Sequence, residues 1–250
     1  MVSIKRVRTS VMTKASQPRP VFIAALPGEI AGVVRGWQTD ERLRERGIHL
    51  FWNDHAVLAC AGMGAQRATL AVEAALALGP ASELISVGWA GACIHRLSIG
   101  DVVSPDIVFD DKTGERFFPY KHRSGTEGME ILVTVPSPAG IAEKQRISIS
   151  YYASAIDMEA AAVARLARAR ELPFQAIKAI SDAADYDLPD LAQFTTTTGH
   201  IREGALGLHV ALRPSLWKPV LSMAKGSKLA AGRLRAAIED HIQQHRTQNP

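Results

Sequence analysis

Cysteine is scarce in this chain: two residues in 250, Cys60 and Cys93, both in apolar segments and without CxxC spacing. That count excludes a disulfide framework and a zinc ribbon, and it suits free thiols buried in a reducing, cytoplasmic setting. No run approaches the roughly 18 apolar residues of a membrane span. The basic segment before Val21 has no continuous apolar stretch, so it does not read as a secretory signal; residues 1–20 are expected to form a flexible tail. A P-loop GK[ST], an HExxH pair and a GxSxG elbow are all missing. Gly62-Met63-Gly64 begins like a dinucleotide fingerprint, but its sixth position is Arg67. The eight histidines are scattered, which argues against a metal site, and no cofactor is implied. A net charge of +4 is too small and too dispersed to mark a nucleic-acid binder.

What is present is a globular composition, 47% hydrophobic and 22% charged, on a chain long enough to bury a full core. Val21 to Leu26 is a short apolar run of the kind buried on both faces. Pro27-Gly28 breaks it, and Glu29 is expected to open a helix to about Trp37. Ile48–Trp52 and Ala56–Ala61 read as a hairpin turning at Asn53-Asp54. Ala65 to Leu78 reads as a helix after Gly64. Leu84 to Val87 reads as a strand followed by Gly88-Trp89-Ala90-Gly91. Asp110 to Gly128 reads as a surface excursion, and Met129 to Val135 as a strand. Helical spacing is read from Ala155 to Arg170, and a strand from Pro173 to Ile180 that ends in Ser181-Asp182. A loop with Tyr186, Pro189 and Phe194 leads to a helix at Ile201–Leu212, and two more helical segments follow Pro214. Strands alternate with helices, so the fold class is α/β with a central sheet.

Three acids stand at strand ends or at a helix start, where ligands bind in open α/β sheets. They are Glu29, Glu159 and Asp182. Taken singly, the first two are also ordinary helix N-terminal acids and Asp182 an ordinary turn residue.

Four segments, in order, resemble the purine/uridine nucleoside phosphorylase superfamily, with methylthioadenosine/S-adenosylhomocysteine nucleosidases the most similar branch. They are Ile23 to Glu29, Gly62-Met63-Gly64, Val87 to Gly91 with Gly100-Asp101, and Ile156-Asp-Met-Glu-Ala160 with Ala179-Ile-Ser-Asp182. The resemblance covers Val21 to Leu212 and implies a single catalytic domain with a mixed sheet flanked by helices, followed by a helical extension at 213–250. It implies an enzyme, an N-ribosyl hydrolase, that cleaves a 5'-substituted purine nucleoside and works as a homodimer. In that comparison Asp182 protonates the leaving base and Glu29 orients and deprotonates the attacking water. Glu159 accepts the ribose hydroxyls, with Met158 beneath the sugar. Ser181, Gly64, Trp89, Ala90 and Gly91 complete the binding residues.

A phosphorylase is the alternative, but the positions where that branch carries phosphate-binding arginines fall near Ile30–Ala31 and Ser86, and neither is basic. Two departures stand out. Trp89 replaces a small residue, and Thr134-Val-Pro-Ser-Pro138 replaces a segment whose aromatic would stack on adenine. With both changes, a catalytically weak nucleoside-binding protein is a further alternative. Ala142-Glu-Lys144 and Arg213-Pro-Ser-Leu-Trp217 are similar to hopanoid-associated nucleosidases, which take adenine from adenosylhopane. The basic tail, with Trp217, Leu216, Leu221, Leu229, Leu234 and Ile238, would either lie on an anionic membrane or dock on the core.

Overall fold

The first strand sets the layers. In the computed structural model, which describes residues 17–120, 129–186 and 217–248 (side chains of the last stretch from Ala224), β1 runs from Arg19 to Ala24. Its alternate side chains enter different cores: Val21 and Ile23 on one face, Phe22 and Ala24 on the other. A strand covered on both sides needs apolar residues at every position, which is what the run supplies.

The remaining elements follow in order. They are α1 (Pro27–Ile30), β2 (Gln38–Thr39), α2 (Glu41–Glu45), β3 (His49–Trp52), β4 (Val57–Cys60), α3 (Ala65–Leu76), β5 (Ala81–Ala92), β6 (Val102–Val103) and β7 (Ile107–Asp110). Then come β8 (Arg116–Phe117), β9 (Ile131–Thr134), α4 (Ile141–Tyr151), β10 (Ala155–Asp157), α5 (Ala160–Ala169), β11 (Phe174–Asp182) and α6 (Trp217–Gln248). All eleven strands join one mixed sheet. β5 is its axis. Its first half lies parallel to β1, its last two residues, Gly91 and Ala92, pair with β10 antiparallel, and β11 runs parallel along most of its length.

One face of the sheet is covered by α3 and α5, which meet through small residues, Ala68, Ala71 and Ala75 against the Ala160–Ala167 run. The other face is covered by α1 and α6, where Ala230, Leu234 and Ile238 are fully buried. A third apolar cluster lies under α4, around Val133, Ile147 and Ile156.

The hairpin at Asn53 is as expected, and its cause is visible: the Asn53 side chain accepts the N–H groups of His55 and Ala56. Several expectations are corrected. The helix after Pro27 stops at Ile30 instead of continuing to Trp37, because Gly32 and Gly36 interrupt the segment, the latter at φ +81°. Gly88 to Gly91 is not a loop after a strand but the continuation of β5. Ala155 to Asp157 is a strand, not the first turn of a helix. Ile156 pairs with Gly91, and its helical spacing from Ala160 is a coincidence of two adjoining elements. Ser181 and Asp182 belong to β11. The tail forms a single helix rather than two segments, because Gly226 is not a break but a close approach: a Cβ there would lie 2.8 Å from the Ser181 carbonyl oxygen. The expected helix at Ile201–Leu212, with Pro189 and Phe194, and residues 1–16 of the expected N-terminal tail lie outside the described residues, while Arg19 and Pro20, read as the end of that tail, begin β1 and pair with β5.

The tail docks. Leu234 and Ile238 are fully buried on the sheet, and His241 beside them bonds Glu83 at 2.9 Å. Leu229 and the cationic side chains of Lys225, Lys228, Arg233 and Arg235 face outward. Among the described residues no helix is long and apolar enough to cross a membrane. Leu234→Ala should therefore destabilise the whole protein by about 2–5 kcal/mol, the range for emptying a buried leucine site. A chemical-denaturation midpoint unchanged from wild type would show that α6 contributes nothing to the core.

Candidate active site

The two glycines of β5 are where carboxylates come in. A Cβ on Gly88, whose φ is +136°, would sit 3.0 Å from Glu29 Oε1. A Cβ on Gly91 would sit 2.9 Å from Asp182 Oδ2. Any larger residue at either position would push a carboxyl aside.

Glu29 is carried by α1 and turned back over the end of β1. Its Oε2 accepts the N–H groups of Ala25 and Leu26, both at 2.9 Å, and its Oε1 accepts the N–H of Trp89 at 3.0 Å. Burial raises its pKa above the ordinary carboxylate value, even though these three N–H groups and nearby Lys178 pull the other way.

Glu159 stands just before α5 with φ −130°, outside the helix rather than in its first turns. Its Oε1 accepts the N–H of Gly64 at 2.7 Å, across the mouth of α3. Burial, together with the neighbouring Asp157 carboxylate, pushes it up to about 7, against the pull of Lys178. Asp157 itself is fully satisfied. It accepts Thr134 Oγ1 at 2.7 Å and the Ala160 N–H at 2.8 Å, and it pairs with Lys178 Nζ at 2.8 Å. Lys178 is wholly buried on β11. Burial pushes its ammonium down, but Asp157, Glu159 and Glu29 outweigh that and hold it above its usual value.

Asp182 ends β11. Ser181 Oγ donates to its Oδ1 at 2.7 Å, and Lys144 Nζ meets its Oδ2 at 2.5 Å.

These groups surround one cavity of about 200 Å³. Of the residues singled out in the sequence, Glu29, Trp89, Ala90, Gly91, Met158, Glu159, Ser181 and Asp182 all line it. Gly64 does not: it lines an adjoining hollow of about 630 Å³ and reaches the site through its bond to Glu159. Met63, Met158 and Pro138 line both spaces. The Trp89 ring comes close to Gly28, and its buried Nε1 has no hydrogen-bond partner among the described residues. Pro138 and Ala139 stand in the wall.

Participants missed in the sequence include Asp157, Lys178, Lys144, Thr134 and Ser227. Lys178 had a signal, a lone charged residue inside the strand Phe174–Ile180, whose only other polar residue is Gln175. Ser227, which lines the cavity from α6, had none.

Chemically, the cavity offers several carboxyls, two of which, Glu29 and Glu159, have their proton affinity raised by burial. All the described ionisable groups that line it are acidic: Glu29, Asp157, Glu159 and Asp182. Their cations, Lys178 and Lys144, stand behind the wall rather than in it.

Comparison with known proteins places this geometry in a family. The chain matches the phosphorylase superfamily over residues 21–142 and 131–208, and it belongs to that superfamily. Its fold is similar to the 5'-methylthioadenosine nucleosidase of Arabidopsis thaliana (TM-score 0.62, 19% identity, covering 90% of this chain and 96% of that one). It is similar to the futalosine hydrolase of Helicobacter pylori (TM-score 0.62, 14% identity, 89% and 98%). It is also similar to the 5'-methylthioadenosine/S-adenosylhomocysteine nucleosidase of Neisseria meningitidis in complex with methylthio-immucillin-A (TM-score 0.61, 18% identity, 88% and 96%). A sequence search of curated proteins finds no match.

The raised pKa of Glu159 has a consequence for stability. The unfolded chain releases this proton near 4.5 and the folded chain near 7, so the folded state binds the extra proton between those values. Stability from this group is full below 4.5 and is lost as pH rises through 7. Glu159→Gln keeps the acceptor for Gly64 and removes the charge. The variant should melt several degrees above wild type at pH 8, and the gap should close near pH 4.5. A gap independent of pH would mean that Glu159 is not buried as a proton-binding group.

Proposed function

We propose that this protein is a nucleosidase that hydrolyses the N-ribosidic bond of a 5'-substituted purine nucleoside and releases the free base. The observation that carries the reading is the placement of Glu29 and Asp182 against Gly88 and Gly91 of one strand, with Glu159 in the wall of the same cavity. Two residues, Trp89 and Ala90, stand between the two glycines, a Cα spacing of roughly 10 Å. In this reading the glycosidic bond and its attacking water lie between the two carboxyls, the arrangement that hydrolysis of such bonds uses.

In this reading Glu29, its proton affinity raised by burial, takes a proton from water as the oxygen bonds to the anomeric carbon. The C–N bond breaks, its electron pair stays on the base, and Asp182 gives that base a proton. Ionised Glu159 accepts the 2'- and 3'-hydroxyls. Met158 packs beneath the ribose, and Val135, Ala139 and Ile156 offer an apolar slot for the base without an aromatic stack. The adjoining hollow is large enough for a 5' substituent, whether a methylthio or homocysteine group or a longer apolar chain. Water is favoured over phosphate because a dianion entering here would face four carboxyls and no lining cation among the described residues. The half-exposed Leu70 on α3 and the β7–β8 hairpin are the surfaces on which a homodimer would form.

The test is product analysis with methylthioadenosine, S-adenosylhomocysteine and an adenosine carrying an apolar 5' chain, with and without phosphate. Free ribose product at equal rate in both buffers is expected. Ribose 1-phosphate formed only with phosphate would make the protein a phosphorylase, and binding without turnover would make it a nucleoside-binding protein. Asp182→Asn should lower kcat by about 10²-fold or more, the usual contribution of a general acid. Near-native turnover by that variant would remove Asp182 from the mechanism. Glu159→Gln should weaken ribosides far more than free adenine; equal losses in calorimetry would contradict its role at the hydroxyls.

A further inference from the structure

Lys144 has no part in the chemistry just described, yet it is the most completely enclosed cation near the cavity after Lys178. It projects from α4 with a side chain only 1% exposed. An ammonium has three protons to donate, and Lys144 Nζ has three acceptors: Asp182 Oδ2 at 2.5 Å, the Ala183 carbonyl at 2.7 Å and the Tyr186 carbonyl at 3.1 Å. Two of those acceptors belong to the backbone that follows β11, so the lysine pins both the carboxyl and the segment that carries it. A Cβ on Gly91 would lie 3.2 Å from Lys144 Cε, so the same glycine that admits Asp182 admits its partner.

The other titratable groups facing the pair are neutral. Cys93, at the end of β5, has its thiol pushed up to about 12 by burial. Tyr186 is raised by burial and by Asp182. Ser181 supplies a hydroxyl, not a charge. Asp182 is thus the sole carboxyl among the described groups bonded to Lys144. Burying a lysine is costly unless it is paired and hydrogen-bonded, and a carboxyl serving only as a wall of the cavity would not need one.

We infer that Lys144 is a positioning residue acting through Asp182: it fixes the carboxyl that protonates the leaving base and supplies the positive charge against which that carboxyl becomes an anion. This rests on the reading of Asp182 as the general acid. The proton passes from Asp182 to the base nitrogen as the C–N pair moves onto the base. Lys144 keeps its three protons throughout, and its attraction grows as the carboxylate forms, so it favours the transition state over the ground state.

The experiment compares a purine nucleoside with p-nitrophenyl β-D-ribofuranoside, whose phenolate leaves without needing a proton. Lys144→Met should lower kcat for the nucleoside by about 10²-fold, as loss of general-acid help does, with KM and the nitrophenyl reaction changed by less than about threefold. Asp182→Asn should show the same selectivity, and the double variant should be no slower than Asp182→Asn alone. Lys144→Arg keeps the charge and should recover most of the loss. If Lys144→Met does not fold, Lys144→Gln serves the same comparison. Equal losses on both substrates, or no loss on the nucleoside, overturn the inference while leaving Asp182 as the acid. If Asp182→Asn itself fails to discriminate between the substrates, the function proposed for Asp182 fails first, and that outcome is separately visible.

Discussion

Everything around the cavity depends on one buried ion pair, Lys178 with Asp157. Four carboxyls come together at the ends of β10 and β11, on α1 and just before α5, and like charges at that density would not stay buried unaided. Lys178 sits behind the wall and touches the fields of Glu29, Asp157 and Glu159 at once. Thr134 and the first N–H of α5 complete the shell of Asp157, so the pair leaves no unsatisfied donor or acceptor there. A buried pair of this sort contributes little to stability on its own. What it does is let Glu159 remain ionisable near neutrality, instead of being locked as an acid or as a carboxylate.

The sheet is shaped to the same end. β5 is long because it serves two sets of neighbours, and it is glycine-bearing only where a carboxylate must approach. The layers on either side, alanine-rich α3 and α5 on one face and α6 on the other, hold this strand at fixed depth. The floor of the site is therefore a core strand rather than a loop, which suits a constellation whose geometry must not drift.

Much of this was legible in the residues. The apolar run at Val21, the Asn53 turn, the helix after Gly64 and the strand into Ser181-Asp182 all follow local rules, and local rules held there. The three acids were found by position, at strand ends and at a helix start. The misreadings share a cause. Ile156 and Gly88 to Gly91 owe their conformation to partners distant in sequence, and Gly226 to the Ser181 carbonyl, none of which local periodicity can register. Lys144 is the extreme case. In its helix, Ile141-Ala-Glu-Lys-Gln-Arg, it looks like any solvent-facing lysine, and only the end of β11, nearly forty residues away, turns it inward.

The contact between Gly226 and the Ser181 carbonyl ties the site to the last helix of the chain. Ser181 positions Asp182, and the backbone that presents Ser181 is backed on that side by α6 rather than by solvent. A glycine far along the last helix is therefore part of the frame behind Asp182: a side chain at position 226 would press on the Ser181 carbonyl and, through it, on the carboxyl at the end of β11.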